Sequence, residues 1–531
     1  GREEEKGRRH GGDEDARPFS QPGPQSTLRM RLPLVALAAA ALGALVPVTL
    51  ADPTEAIVER ACSTCHVVPS PDILPRDSWR TVLYEMAGII MANVGAPKGA
   101  PPASLDFDVE QLAHYYEERA PRELKAPEPW PAPDAPPRFV RHPMRLAAGV
   151  PPPPRSTMPF VANVRFLDIG GSGRLQVVAA DMSSGLVLAG DPANPEAGLR
   201  VLAHAGNPCH VELVDLDRDG LMDLVVADLG DVPPEDHEKG RVLWLRRQKD
   251  GTYATIVLAR GLPRVADVEA VDVDGDGDID LVVAAFGWRT VGGIFLLENV
   301  TKTWDAPSFV RGEIDARPGA IHVPVADLDG DGRPDFVALL AQHYESVEFF
   351  KNLGKGEFRP QILDQAPHPA WGSSGLELVD FDKDGDLDIL VTNGDMLDDF
   401  LLKPYHGIRW LENKGGLRFE AHSLANLPGV HRALVADIDG DGDNDVVAGA
   451  YVRFKVGNGP PRSRPDLASL VWLEQQERGQ WKRHTLEQGA AHVTLDVADY
   501  DRDGDIDIVV GNFSTEGAPY VDVWENVSKK R

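Results

Sequence analysis

Short apolar runs in a fixed order fill the chain from about residue 160 onward. A run in which apolar and polar positions alternate comes first, as at Val211 and Leu213, Val323 and Val325, or Ala433 and Val435. An acidic, glycine-punctuated stretch follows. Next is a continuous apolar run, such as Leu224–Ala227, Leu281–Ala285, Ile389–Val391, Val446–Ala448 or Ile508–Val510. A further run of the type Trp410-Leu-Glu-Asn413 completes the unit, with counterparts at Phe295–Asn299, Trp472–Glu474 and Trp524–Asn526. Alternation with period two predicts a strand with one face buried, and a short continuous apolar run between turn signals predicts a strand buried on both. The acidic stretches begin at Asp168, Asp215, Asp272, Asp327, Asp380, Asp437 and Asp499, at intervals of 47, 57, 55, 53, 57 and 62 residues. A repeat of this length marks a solenoid or a propeller. Room for four strands per repeat, seven times over, predicts a mainly β fold: a seven-bladed β-propeller over residues 160–531.

The N-terminal third follows other rules. Residues 1–29 are polar and aperiodic, which predicts disorder, and they read as lying upstream of the true start at Met30. Residues 30–51 open with Met30 and Arg31, continue as an apolar run and end with Thr49 and Ala51 at the −3 and −1 positions of a signal-peptide cleavage site. This predicts export, periplasmic or secreted, with no membrane span after cleavage. Over 52–125 the spacing becomes helical: Thr54 to Ala61; Trp79, Val82, Leu83, Met86, Ile89 and Ile90 behind a cap at Asp77; and, from Asp106, Val109, Leu112, Ala113 and Tyr116. A small α-helical domain is expected there. Residues 126–159 read as a proline-rich linker, semi-rigid and extended, since 13 prolines fall between 121 and 159.

Charge sharpens the picture. The formal net charge of −29 excludes a nucleic-acid partner, and the acid is concentrated in the repeat loops. Each good loop presents carboxylates at positions 1, 3, 5 and 9. The sets are Asp215, Asp217, Asp219 and Asp223; Asp272, Asp274, Asp276 and Asp280; Asp327, Asp329, Asp331 and Asp335; Asp380, Asp382, Asp384 and Asp388; Asp437, Asp439, Asp441 and Asp445; and Asp499, Asp501, Asp503 and Asp507. Such an oxygen cage, with glycine at position 6 for the sharp turn, suits a hard cation, and about six Ca²⁺ ions are expected. An EF-hand is excluded, because position 12 of the first good loop is Val226 and strands flank it. The Asp168 loop offers Gly170, Ser172 and Gln176 instead of aspartates and should bind weakly or not at all.

Cys62-Ser-Thr-Cys65-His66 is a C-x-x-C-H motif. Two thiols one helical turn apart reach the two vinyl groups of a haem, and the adjacent imidazole ligates iron, so covalent haem c is expected. The sixth ligand is Met86 or Met91, with His114 a weaker candidate. Four histidines, His210, His322, His431 and His492, lie five to seven residues before the first aspartate of their loops. They are expected to open the innermost strands, opposite the acidic loops, and to converge at the channel mouth as candidate catalytic or binding residues. Asp267 and Ser373 hold similar places in two other blades, and Cys209 reads as a small buried residue.

The segment CSTCHVVPSPDILPRDSW…YEMAG over 62–88 resembles the cytochrome domain that precedes FG-GAP/VCBS-type repeats in some exported bacterial proteins. The repeats themselves resemble those of integrin-α-like propellers. The resemblance implies Met86 as the distal ligand. Three functions fit these features. One is an electron-transfer protein whose propeller binds a redox partner protein or a small-molecule substrate. The second is a haem-dependent oxidoreductase with its active site at the channel mouth. The third is an adhesion or glycan-binding propeller with a redox-sensing haem. No Ser-His-Asp order, P-loop or zinc-protease motif is present.

Overall fold

A computed structural model describes residues 53–63, 67–92, 105–133, 138–455, 460–477 and 479–528. The signal-like segment 30–51 and the motif residues Cys65 and His66 lie outside them. Asp52–Arg531 forms one unit.

Seven antiparallel sheets of four strands make a seven-bladed propeller. The alternating runs become the innermost strands: Val161–Leu167, Pro208–Val214, Val265–Val271, Ala320–His322 continued by Val325–Ala326, Ser373–Val379, Val430–Ala436 and Leu495–Ala498. The continuous apolar runs become the second strands. In six blades every residue of the second strand is buried, as in Asp223–Asp228 and Asp280–Ala285, because neighbouring blades cover both faces. The WLEN-type runs become the third strands. A small two-stranded extension, Arg453–Phe454 with Arg462–Ser463, projects from the sixth blade.

The seventh blade differs from expectation. Its outermost strand is Phe139–Met144, from within the stretch read as a linker, paired antiparallel to Val521–Asn526. The chain thus closes the ring by joining an N-terminal strand to C-terminal ones, which removes the open edge a linear repeat array would leave. Met144 is fully buried there and Phe139 nearly so. Pro143 is compatible with this place, because an outermost strand needs no outward N–H donor.

Six of the seven innermost strands carry a one-residue bulge at the same phase. The residue six positions before the loop's first aspartate drops out of register: Ala162, Cys209, Ala266, Ile321, Ser374 and His431. A bulge re-aims the side chains on either side of it, and here it sets which positions face the propeller axis.

Three helices precede the propeller: α1 (Pro53–Cys62), α2 (Arg76–Met91) and α3 (Val109–Arg119). Trp79, Leu83 and Ala87 form the buried stripe of α2 and meet Leu112, Ala113 and Tyr116 of α3. The Trp79 and Tyr116 rings stack at 3.9 Å. The expected cap of the second helix moves, and the third helix starts later than Asp106. Asp108 caps α3 by accepting from the Glu110 N–H at 3.0 Å. Pro75 precedes α2, and Asp77 lies in its first turn, where a carboxylate favours the helix N-terminus without capping it.

Candidate functional site

Chain direction defines two faces of the propeller. Innermost strands run toward the acidic loops, so the loops lie on one face. The connections between blades and the loops joining second to third strands lie on the other.

On the first face each loop folds around its own first aspartate. Asp215 accepts from the Asp219 and Gly220 N–H groups, both at 3.0 Å, and the loops at Asp327, Asp380 and Asp499 repeat the pattern; in the loops at Asp272 and Asp437 the first donor is Gly275 or Gly440, one residue earlier. The glycine at position 6 is left-handed, as at Gly220 with φ 86°, a conformation that glycine adopts at little cost. The position 9 carboxylate is buried and has a second role. Asp280 accepts from Val273 N–H at 3.1 Å and from Asn299 N–H at 2.8 Å, pinning the third strand to the loop. Burial pushes Asp223 and Asp280 up to about 6 and Asp445 and Asp507 up to about 7. In the fourth blade one such oxygen, Asp335 Oδ2, is buried without a hydrogen-bond partner. Ligand oxygens of Asp215, Asp217 and Asp223, and of Asp327, Asp329 and Asp335, lie within 4.8 Å of one another. These residues fit a hard cation. Two loops also hold an internal cation: Arg246 contacts Asp217, and Lys351 contacts Asp329 and Asp331.

The axis is lined from two positions of the innermost strands. Three residues before the loop stand Arg165, Glu212, Glu269, Glu377 and Asp496, and five before it stand His210, Asp267, His322 and Arg432. Charges from opposite blades interact here, which only convergence on the axis allows. Glu269 of the third blade senses Arg165 of the first and Arg432 of the sixth. Arg165 donates to Glu212 at 3.0 Å. Asp267 sits between two imidazoles, with His210 Nδ1 at 3.0 Å from one oxygen and His322 Nδ1 at 3.6 Å from the other. It also accepts from the Val268 and Val323 N–H groups, both at 3.0 Å. Burial alone would raise Asp267, but His210 and His322 hold it well below the usual range. Burial, then Asp267 and Glu212, push Glu269 well above it. Burial also raises Glu377 to about 7 and lowers His322.

The four predicted histidines therefore do not form one cluster. His210 and His322 do, through Asp267. His431 is the bulged residue of its strand, bonded through Nδ1 to Gly429 O at 2.9 Å and 3.9 Å from Asp395. His492 is fully buried away from the axis, between Gly511 O at 3.1 Å and Glu487 at 2.7 Å. The offsets before the loop, five, five, six and seven, were the available signal, since side-chain direction on a strand changes with each residue. Charged residues at alternate positions of otherwise apolar strands were the sign of Glu212, Glu269, Glu377 and Arg432. Cys209 is a bulged residue with Sγ 3.1 Å from Val265 O, and burial holds its thiol well above the usual range.

The helical segment packs on the face where the histidines sit. The Tyr405 hydroxyl donates to Ile73 O at 3.1 Å, Arg289 pairs with Glu85 at 3.0 Å, and Ala370, Leu401 and Tyr405 join the helical core. The Trp130 indole donates to Asn426 O at 2.9 Å, tying the following segment to the same side. A cleft of about 690 Å³ separates α2 from Asp236, Arg289 and Thr290. Within the helical segment Cys62 closes α1, buried with Sγ 3.9 Å from the Tyr116 hydroxyl, and burial raises its thiol. Met86 is half-buried, Met91 is 54% exposed, and His114 is exposed and paired with Glu118 at 2.9 Å.

On this face Glu345 is buried and accepts from Ser373 N–H at 2.8 Å and Gly372 N–H at 3.3 Å, joining the fourth blade to the fifth. Burial pushes it from 4.5 up to about 7. A raised carboxyl binds its proton more tightly in the folded chain. Its contribution is therefore complete below pH 4.5 and is lost as pH rises through 7. Stability of the calcium-supplemented chain is expected to fall by on the order of 3 kcal/mol from this group over that window. Glu345→Gln should flatten this dependence in urea titrations at pH 5 and pH 8. An unchanged difference between the two would contradict the assignment.

A family model described as an FG-GAP-like repeat matches residues 215–283, 327–391 and 392–448. No curated relative matches the chain. Among similar solved structures are the N-terminal domain of Nup159, 12% identical over 76% of this chain and 98% of that one, with a TM-score of 0.41. An ancestral GH74 enzyme is 9% identical over 74% and 50%, with 0.45. The V. cholerae biofilm matrix protein Bap1 is 12% identical over 73% and 84%, with 0.35. Likeness at these values carries no functional argument. Among the described residues no helix is long and apolar enough to cross a membrane. The chain carries FG-GAP-like repeats, and they close as a seven-bladed β-propeller.

Proposed function

We propose that this is an exported haem c electron-transfer protein whose calcium-binding propeller receives a redox partner or a small-molecule substrate at the axis. One observation carries the reading: the helical segment that bears the C-x-x-C-H motif packs on the propeller face where His210, Asp267 and His322 lie. A donor at the axis and an acceptor in the helical segment would then share one face.

The helical residues suit the group. Cys62 and Cys65 would hold it covalently and His66 would ligate iron. Val67 and Met91, each 54% exposed, add apolar surface next to the motif and on α2. The half-buried thioether of Met86 is better placed as distal ligand than the exposed Met91 or the ion-paired His114. A bound haem supplies one-electron transfer. The chain's own contribution is positional: the Trp79–Tyr116 stack fixes α2 against α3, and Tyr405 and Arg289 fix the helices to the propeller. A second reading, an oxidoreductase with its site at the axis, draws on the imidazoles that flank Asp267 beside Glu269, whose carboxyl burial holds well above the usual range.

Chain made in a host with cytochrome c maturation is expected to carry one haem that resists acidified organic extraction. Cys65→Ser should weaken the attachment. Met86→Ala, but not Met91→Ala, should abolish the long-wavelength band of Met–iron ligation. A mature chain without covalent haem would overturn the proposal.

A further inference from the structure

We propose that the six acidic loops fall into two classes. Those of the third, fifth, sixth and seventh blades bind calcium tightly, while those of the second and fourth carry a cation of their own and bind it weakly. The inference rests on the calcium reading of the loops and divides them by the charge beside each.

Backbone hydrogen bonds give the alignment. In all six blades the position 9 carboxylate accepts from one N–H of the third strand, that of Arg247, Asn299, Asn352, Asn413, Gln475 or Asn526, at 2.7–2.8 Å. The residue just before that N–H therefore holds the same place beside each loop. It is Glu298, Glu412, Glu474 and Glu525 in four blades, but Arg246 in the second and Lys351 in the fourth. Loop position 7 divides the blades in the same way. It is Asp278, Asp386, Asp443 and Asp505 in the four, but Leu221 in the second and Arg333 in the fourth.

The basic side chains reach the loop carboxylates. Arg246 lies 2.5 Å from Asp217, whose side chain is 1% exposed, and sits over the Trp244 ring at 5.3 Å. A buried carboxylate needs such a partner. Lys351 contacts Asp329 and lies 2.8 Å from Asp331, which Arg333 also pairs at 2.5 Å. In the sixth blade Arg138 approaches Asp439 only to 3.9 Å.

The cage is kept in both classes. Ligand oxygens converge within 4.8 Å in the second, third and fourth blades alike. Asp335 Oδ2, on a fully buried residue of the fourth, still has no hydrogen-bond partner. Geometry leaves room for an ion in each, and charge decides how firmly it is held. The affinity of an oxygen cage for calcium follows its ligand charge. A guanidinium or ammonium among the ligands offsets that charge and must be displaced, whereas extra carboxylates deepen the negative field that attracts the ion.

The test uses full-length chain, stripped with chelator and titrated with Ca²⁺ alone, with bound metal counted after equilibrium dialysis. About four ions per chain should bind tightly, and about two more only at calcium at least about tenfold higher. Lys351→Glu with Arg333→Asp gives the fourth blade the residues of the third and should raise the tight count to about five. Glu298→Lys, at an exposed position, should lower it to about three. Six ions bound by the wild-type chain with a single affinity would overturn the inference and leave the calcium reading standing. A wild-type chain that binds none would overturn both. A tight count unmoved by Glu298→Lys would overturn the inference as well.

Discussion

Chelation of the calcium-supplemented chain is expected to lower its unfolding temperature by on the order of 10 °C or more. An ion that binds only the folded chain adds about 2.7 kcal/mol per site at a hundredfold excess over Kd, and six loops carry the full ligand set. Without an ion, four carboxylates converge in each loop, and one of them, Asp335 Oδ2, has no hydrogen-bond partner for a buried oxygen. The two kinds of loop aspartate should separate in the same experiment. Asp274 accepts only from the Asp276 N–H in the exposed turn, so Asp274→Ala should destabilise with calcium and matter little in chelator. Asp280 also pins Val273 and Asn299. Asp280→Ala strands those buried N–H groups and should cost about 1–3 kcal/mol for each in either condition. Calorimetry of wild type and both variants, with metal analysis, decides the matter. Melting curves that superimpose with and without chelator would remove calcium from the account.

A chain beginning at residue 160 is expected not to fold cooperatively, whereas one beginning at residue 138 should. Both lack the helical segment, so the difference isolates the strand Phe139–Met144. Without it, Val521–Asn526 becomes an open edge and a six-residue ladder is lost. Phe139 and Met144 no longer bury their side chains, at about 1.5–3 kcal/mol each. Asp522 also loses Arg141, which donates to it at 2.8 Å and is itself held by Glu487 at 2.8 Å. Thermal melts by circular dichroism and elution on gel filtration check this. Equal midpoints for the two chains would show that closure by the N-terminal strand is dispensable.

Periodicity and spacing alone determined the repeat. Strand order within a blade, the number of blades, the loop at the end of each innermost strand and its ligand positions follow from local alternation, short apolar runs and glycine placement, which act over a few residues. Three things needed the folded chain. Phe139–Met144 pairs with residues some 380 positions away, and its own sequence, with Pro143 inside it, carries no strand pattern. The bulge six residues before the loop decides which side chains reach the axis. It grouped His210 with His322 and sent His431 elsewhere, while His492, ahead of the seventh innermost strand, which has no such bulge, bonds to Glu487 instead, although all four look alike in sequence. Asp267 becomes the shared partner of two imidazoles only because the second, third and fourth blades curve around one axis. Local pattern specifies each blade because strand pleat and turn chemistry are local. Which residues meet at the centre depends on ring closure, a property of all seven blades together.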